Sequence, residues 1–98
     1  MDLHWSNEAL NEADAATAFY QERQSGLGKR FLDNLEDTAS RIARNPYLYK
    51  KIELNIRKCK VPHFPYALIY RTQQESLEII AVMHLRKAPG YWKHRDSV

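Results

Sequence analysis

The chain has 98 residues, with 15 Lys and Arg against 12 Asp and Glu and a formal net charge of +3, which leaves room for one small core and excludes a second domain of ordinary size. Hydrophobic residues make up 44% and charged residues 28%, and six Tyr, three Phe and two Trp supply core bulk, so the composition is that of a folded globular chain. The longest apolar run, Ile79 to Met83, falls far short of the roughly 20 residues that cross a bilayer, and no basic segment followed by an apolar stretch opens the chain, so a single cytoplasmic domain over 1–98 is expected.

Asp2 to Trp5 reads as a brief strand, and Ser6 is an N-cap ahead of Asn7 and Glu8. Leu10, Ala13, Thr17 and Tyr20 recur at helical spacing with Ala16 beside them, while Glu12, Asp14, Gln21 and Glu22 fall elsewhere; this predicts an amphipathic helix of about 18 residues. Gln24-Ser25-Gly26 stops it, because glycine accepts the left-handed conformation that helix ends require. Phe31, Leu35 and Ile42, with Leu32 and Ala39, mark a second stripe. Asn45-Pro46 ends that helix, since proline lacks an amide hydrogen and pushes its predecessor out of the α region.

Beyond Pro46 the period changes to two. Ile52, Leu54 and Ile56 alternate with Glu53, Asn55 and Arg57, and the strand is expected to run on toward Lys60. Pro62-His63-Phe64-Pro65 interrupts it; Tyr66 to Arg71 is the next strand, Thr72 to Ser76 a polar turn, and Leu77 to Met83 a strand buried on both faces. The order βααβββ predicts an α+β domain: two helices on one face of a small antiparallel sheet whose other face stays open. Lys58 and Lys60 share the phase of Ile52, Leu54 and Ile56, so a bulge near Arg57 to Cys59, or a strand running past the helices, is expected to keep the two ammonium groups in solvent.

Charge is divided along the chain. Residues 1–49 carry five basic and eight acidic side chains, a net −3; residues 50–98 carry ten basic and four acidic ones, Asp96 among them, a net +6. An anionic partner on the second half follows, either nucleic acid or an acidic protein segment. His84 is followed by Arg86, Lys87, Tyr91, Trp92, His94 and Arg95, which combine a group titrating near neutrality with fixed cations and stacking surfaces, as metal-free RNA cleavage requires. A lone Cys59 and the absence of any Cys/His cluster with zinc spacing leave no metal or cofactor expected. Ser25-Gly26-Leu27-Gly28-Lys29 joins two helices and does not follow a strand, so it is no phosphate loop.

Three strings carry a family resemblance: Asn45-Pro46; Ile56-Arg57-Lys58-Cys59-Lys60-Val61 leading into Phe64-Pro65-Tyr66-Ala67-Leu68-Ile69-Tyr70-Arg71; and Ile79 through His84 to Lys87, ending in Pro89-Gly90-Tyr91-Trp92. Together with Gly26 to Phe31 they make the chain resemble the RelE/ParE superfamily of toxins from bacterial type II toxin-antitoxin systems. The resemblance implies a cognate antitoxin as partner. It also implies one of two activities: ribosome-dependent cleavage of messenger RNA, taken here as the first expectation, or poisoning of DNA gyrase by binding without catalysis. A degenerate toxin that only binds its antitoxin is the third possibility. By similarity to the nucleases, His84, Arg86 and Tyr91 are the candidate catalytic residues and Lys58, Lys60 and Trp92 candidate substrate-binding ones, to which the basic strand adds Arg57 and the cluster after His84 adds Lys87 and Arg95. Ala67 departs from that pattern, standing where RelE-type enzymes carry a further arginine, and the strand end from Val82 to Arg86 resembles ParE-type chains.

Overall fold

The computed structural model describes residues 2–95; Asp96, counted above in the charge of the second half, lies outside the described residues. Strand β1 (Asp2–Trp5) leads into helix α1 (Asn7–Arg23) and helix α2 (Leu27–Arg44), followed by β2 (Lys50–Glu53), β3 (Ile56–Lys60), β4 (Tyr66–Gln73) and β5 (Ser76–His84), with a short 3-10 turn at Lys93–Arg95. The fold is α+β, with both helices on one face of a five-stranded sheet in the order β1-β5-β4-β3-β2. The sheet is mixed: β1 runs parallel to β5, pairing Asp2 with Ser76 through Trp5 with Ile79, and the remaining pairs are antiparallel. No helix among the described residues is long and apolar enough to cross a membrane.

The helix ends follow local chemistry. Ser6 accepts a hydrogen bond from the Ala9 amide at 3.1 Å, as an N-cap does. Gly26 takes the left-handed conformation at φ +88°, and the Gln21 side chain accepts from the amides of Gly26 and Gly28 at 3.0 and 3.3 Å, so α1 caps the start of α2. A Cβ on Gly28 would lie 2.8 Å from the Thr17 carbonyl oxygen, which is why the helices meet at a glycine. Between helices and sheet, Tyr20, Phe31, Phe64 and Tyr66 form a ring cluster with centroids of the Phe31 pairs at 5.0 to 5.1 Å, joining α1, α2 and β4.

Four expectations are corrected. The strand expected to run from Ile52 toward Lys60 is a hairpin, turning at Leu54 and Asn55, and Leu54 is 88% exposed. Leu10 and Leu32, assigned to buried stripes, are exposed; the buried stripe of α1 is Ala9, Ala13 and Ala16, whose small side chains let the helix sit close. The bulges lie elsewhere than near Arg57 to Cys59: one in β2 between Lys51 and Glu53, the other where Ile80 of β5 is extra between the pairs Ile69 with Ala81 and Tyr70 with Ile79. Lys58 and Lys60 do share a face with Ile56, but it is the face away from the helices. There the C-terminal segment folds back and buries Trp92 among Ile69, Ile80 and Met83, so that face is partly covered.

Candidate functional site

The C-terminal segment straddles the end of the sheet. Leu85 is tied by its amide to the Pro65 carbonyl, a turn at Gly90 (φ +77°) reverses the chain, and neighbouring residues then part: Tyr91 directs its hydroxyl to the helix side while Trp92 buries its ring on the other face. Two concavities result. One, about 300 Å³, lies between α1 and the segment and is lined by Glu12, Phe19, Tyr66, His84, Lys87 and Tyr91. The other, about 270 Å³, opens on the helix-free face over Ile52, Lys58, Ile69, Met83 and Trp92.

Glu12 is the hinge of this arrangement. Its carboxylate accepts from the Val82 amide (2.9 Å), the Tyr91 hydroxyl (2.7 Å) and both terminal nitrogens of Arg95 (2.9 and 3.2 Å). Arg95 also donates to the Ile80 carbonyl at 3.2 Å and lies 5.1 Å from the centre of the Tyr91 ring. β1 stops opposite Ile79, so the next edge groups of β5 have no strand partner on that side, and the Glu12 and Arg95 side chains take its place. The sequence reading set Glu12 off the apolar stripe, yet positions 9, 12, 13 and 16 share one helix face, and that spacing was the available signal.

The candidate residues are brought together only in part: His84, Lys87 and Tyr91 line the cavity beside α1, whereas Lys58 and Trp92 line the one on the other face. His84 sits on the helix side, its ring edge-on to Tyr66 at 5.0 Å and its Nδ1 accepting from the Arg86 amide at 3.0 Å, which puts the proton of the neutral ring on Nε2. Arg86 is exposed and its side chain makes no hydrogen bond or ion pair among the described residues. Lys87 is exposed and lies 5.3 Å from the Tyr91 ring centre. On the opposite face, Lys58 is half-buried beside its cavity, and Lys60 donates to the carbonyls of Val61 and Phe64 at 3.0 and 3.2 Å, bracing the loop between β3 and β4.

Four assignments do not fit the geometry. Trp92 is 4% exposed, so its ring offers no face to a base. Arg57 donates to the carbonyls of Tyr47 and Tyr49 at 3.2 and 2.9 Å and stacks on Tyr47, away from Lys58. Arg95 is spent on Glu12. Tyr91 is unsuited to shuttling protons near neutrality, because burial first, and then its hydrogen bond to Glu12, hold its hydroxyl well above the ordinary tyrosine range. No arginine of β3 or β4 replaces the missing cation at Ala67, which lies opposite Lys60 and Met83 in the ladder: Arg57 lies opposite Tyr70 and is engaged as described, and Arg71 lies opposite Ile56 and pairs with Glu78. Ala67 itself is fully buried. Cys59 is buried, and desolvation raises its thiol, so it is a core residue and no nucleophile. Among the described residues no three His, Cys, Asp or Glu side chains converge as a metal site would need.

The tyrosines make a pH prediction. Burial holds Tyr70, whose hydroxyl donates to the Pro46 carbonyl at 2.7 Å, and Tyr91 above the usual value near 10. The unfolded chain therefore loses both protons from about pH 10 while the folded chain keeps them, so the native state binds more protons and stability falls as pH rises. The unfolding free energy from urea titrations should hold up to about pH 8, begin to fall as the thiol of the unfolded chain ionises while buried Cys59 keeps its proton, and fall more steeply above about pH 10, each of the two tyrosines adding up to about 1.4 kcal/mol per pH unit. Equal midpoints at pH 8 and pH 11 would contradict this.

Residues 3–89 match the family model for the ParE toxin of type II toxin-antitoxin systems, parDE. A solved structure of the chromosomal ParDE toxin-antitoxin system from P. aeruginosa is similar in fold, with a TM-score of 0.66, 17% sequence identity, and coverage of 86% of this chain and 95% of that one. Among curated proteins none matches the chain.

Proposed function

We propose that this chain, which belongs to the ParE toxin family of type II toxin-antitoxin systems, arrests growth by binding DNA gyrase in the cytoplasm, without cutting RNA. The toxin role and an antitoxin partner follow from the family; the target is our reading. One observation carries it. Of the groups a nuclease would need, His84 and Lys87 share the cavity beside α1, but the strand cation Lys58 lies on the other face of the sheet, Ala67 supplies none, and Tyr91 and Arg95 are held by Glu12. General acid-base cleavage needs proton carriers and a phosphate-binding cation around a single scissile bond, within hydrogen-bond reach of it. A binding toxin needs only a surface. The ribosome-dependent nuclease, the first expectation from sequence, becomes the rival to be tested.

The test adds the purified protein to a cell-free translation mixture and maps message 5′ ends. Intact messages are expected at concentrations that arrest growth when the protein is made in cells. New 5′ ends within the translated region, appearing only with ribosomes engaged, would overturn the reading.

A further inference from the structure

Strand β2 is the outer strand of the sheet on the side away from β1, so one edge of its backbone has no strand partner among the described residues. Its pairing with β3 places Lys50 opposite Lys58 and Lys51 opposite Arg57. Two successive like-charge pairs across a ladder are unfavourable, and a ribbon built only for stability would not contain them. Glu53, the acidic residue of β2, is drawn off by an ion pair with Lys93 at 3.0 Å. Among the described residues, the ribbon thus holds an excess of positive charge that its neighbours leave uncompensated.

The segments at the two ends of β2 expose apolar side chains. Tyr47 and Leu48, just before it, are 58% and 70% exposed, and Leu54, just after it, is 88% exposed. The preceding loop is rigidly held: the Tyr70 hydroxyl donates to the Pro46 carbonyl at 2.7 Å, and Arg57 to those of Tyr47 and Tyr49 at 3.2 and 2.9 Å. Lysines on an edge strand ordinarily discourage pairing with other chains. Here they lie between large apolar side chains, one group of them on a fixed backbone, as in a surface prepared for a partner.

We infer that the β2 edge is the surface that engages the target, taking an extended acidic segment of gyrase as an added strand, its carboxylates against Lys50, Lys51 and Lys58 and its apolar side chains against Leu48 and Leu54. The inference rests on the gyrase reading above. A peptide fits better than nucleic acid because the free edge supplies main-chain hydrogen bonds, Leu48 and Leu54 offer no stacking surface, and one face of the Tyr47 ring already carries the Arg57 guanidinium.

The experiment compares the wild type with Lys50→Glu/Lys51→Glu and with Leu48→Ser/Leu54→Ser in supercoiling by purified gyrase. Thermal midpoints and binding to the cognate antitoxin are measured alongside. The charge reversal turns both repulsive pairs into attractive ones, so its midpoint should be unchanged or higher, while at least tenfold more protein should be needed for inhibition. The leucine variant should show the same loss at an unchanged midpoint, and antitoxin binding should persist in both. Inhibition by the variants equal to wild type overturns the inference and leaves the gyrase reading standing, whereas no inhibition by the wild type overturns that reading itself. Parallel loss of antitoxin binding would assign the edge to the antitoxin. Wild-type binding to naked DNA that the reversal abolishes would assign it to nucleic acid. Either result refutes the assignment to gyrase.

Discussion

Replacing Phe31 by alanine should lower stability by about 3 to 5 kcal/mol, enough to leave a chain of this size partly unfolded at 37 °C. Phe31 is fully buried, and its ring meets Tyr20 of α1, Phe64 of the β3 to β4 loop and Tyr66 of β4 at centroid distances of 5.1, 5.0 and 5.1 Å. The truncation therefore opens a cavity at the junction of three elements. The surrounding rings are too large to collapse into it without leaving their own contacts. Phe31→Leu keeps most of the volume and should cost under about 1.5 kcal/mol. Urea unfolding monitored by far-UV circular dichroism measures both. Equal midpoints for Phe31→Ala and wild type would show that the cluster is not where helices and sheet are joined.

Glu12→Ala should cost about 2 to 4 kcal/mol, an effect far larger than an exposed charge on a helix would produce. The carboxylate and the Arg95 guanidinium are mostly buried, at 23% and 12% side-chain exposure. Removing Glu12 leaves the Arg95 charge, the Tyr91 hydroxyl and the Val82 amide without their acceptor. Loss of these anchors should also free the C-terminal segment, so trypsin should cut at Arg86, Lys87, Lys93 or Arg95 faster than in the wild type. Glu12→Gln should lie between, because an amide oxygen still accepts but its nitrogen confronts donors. A double-mutant cycle with Arg95→Met separates the pair from its surroundings. A change under about 0.5 kcal/mol for Glu12→Ala, typical of a surface substitution, would contradict the assignment.

The helices and three of the strands were legible because period and punctuation agreed: Ser6 before α1, Gly26 between the helices, Asn45-Pro46 after α2, and the dense Ile and Val run of β5. The β2 to β3 hairpin was hidden because Leu54 keeps the alternation of Ile52 and Ile56 through the turn, with no Gly or Pro to mark it. A period of two records side-chain order and does not register a reversal of the backbone. Leu10 and Leu32 lay on plausible apolar stripes, yet close helix packing selected the alanines of α1.

The site was less legible for a related reason. The residues from His84 to Arg95 are adjacent in sequence, and adjacency suggested a cluster, but the chain reverses at Gly90 and sends Tyr91 and Trp92 toward opposite faces. Lys58 belongs to the other face through the pleat of β3. Glu12, far away in sequence, organises the segment through contacts that no local pattern announces.

Whether this toxin acts by occupying a protein target is decided by titrating the purified chain into a supercoiling reaction with purified DNA gyrase and relaxed plasmid. The expected result is loss of supercoiling as the protein saturates the enzyme, reversed by the cognate antitoxin. Normal supercoiling at saturating protein, with no trapped cleavage complex, would contradict it.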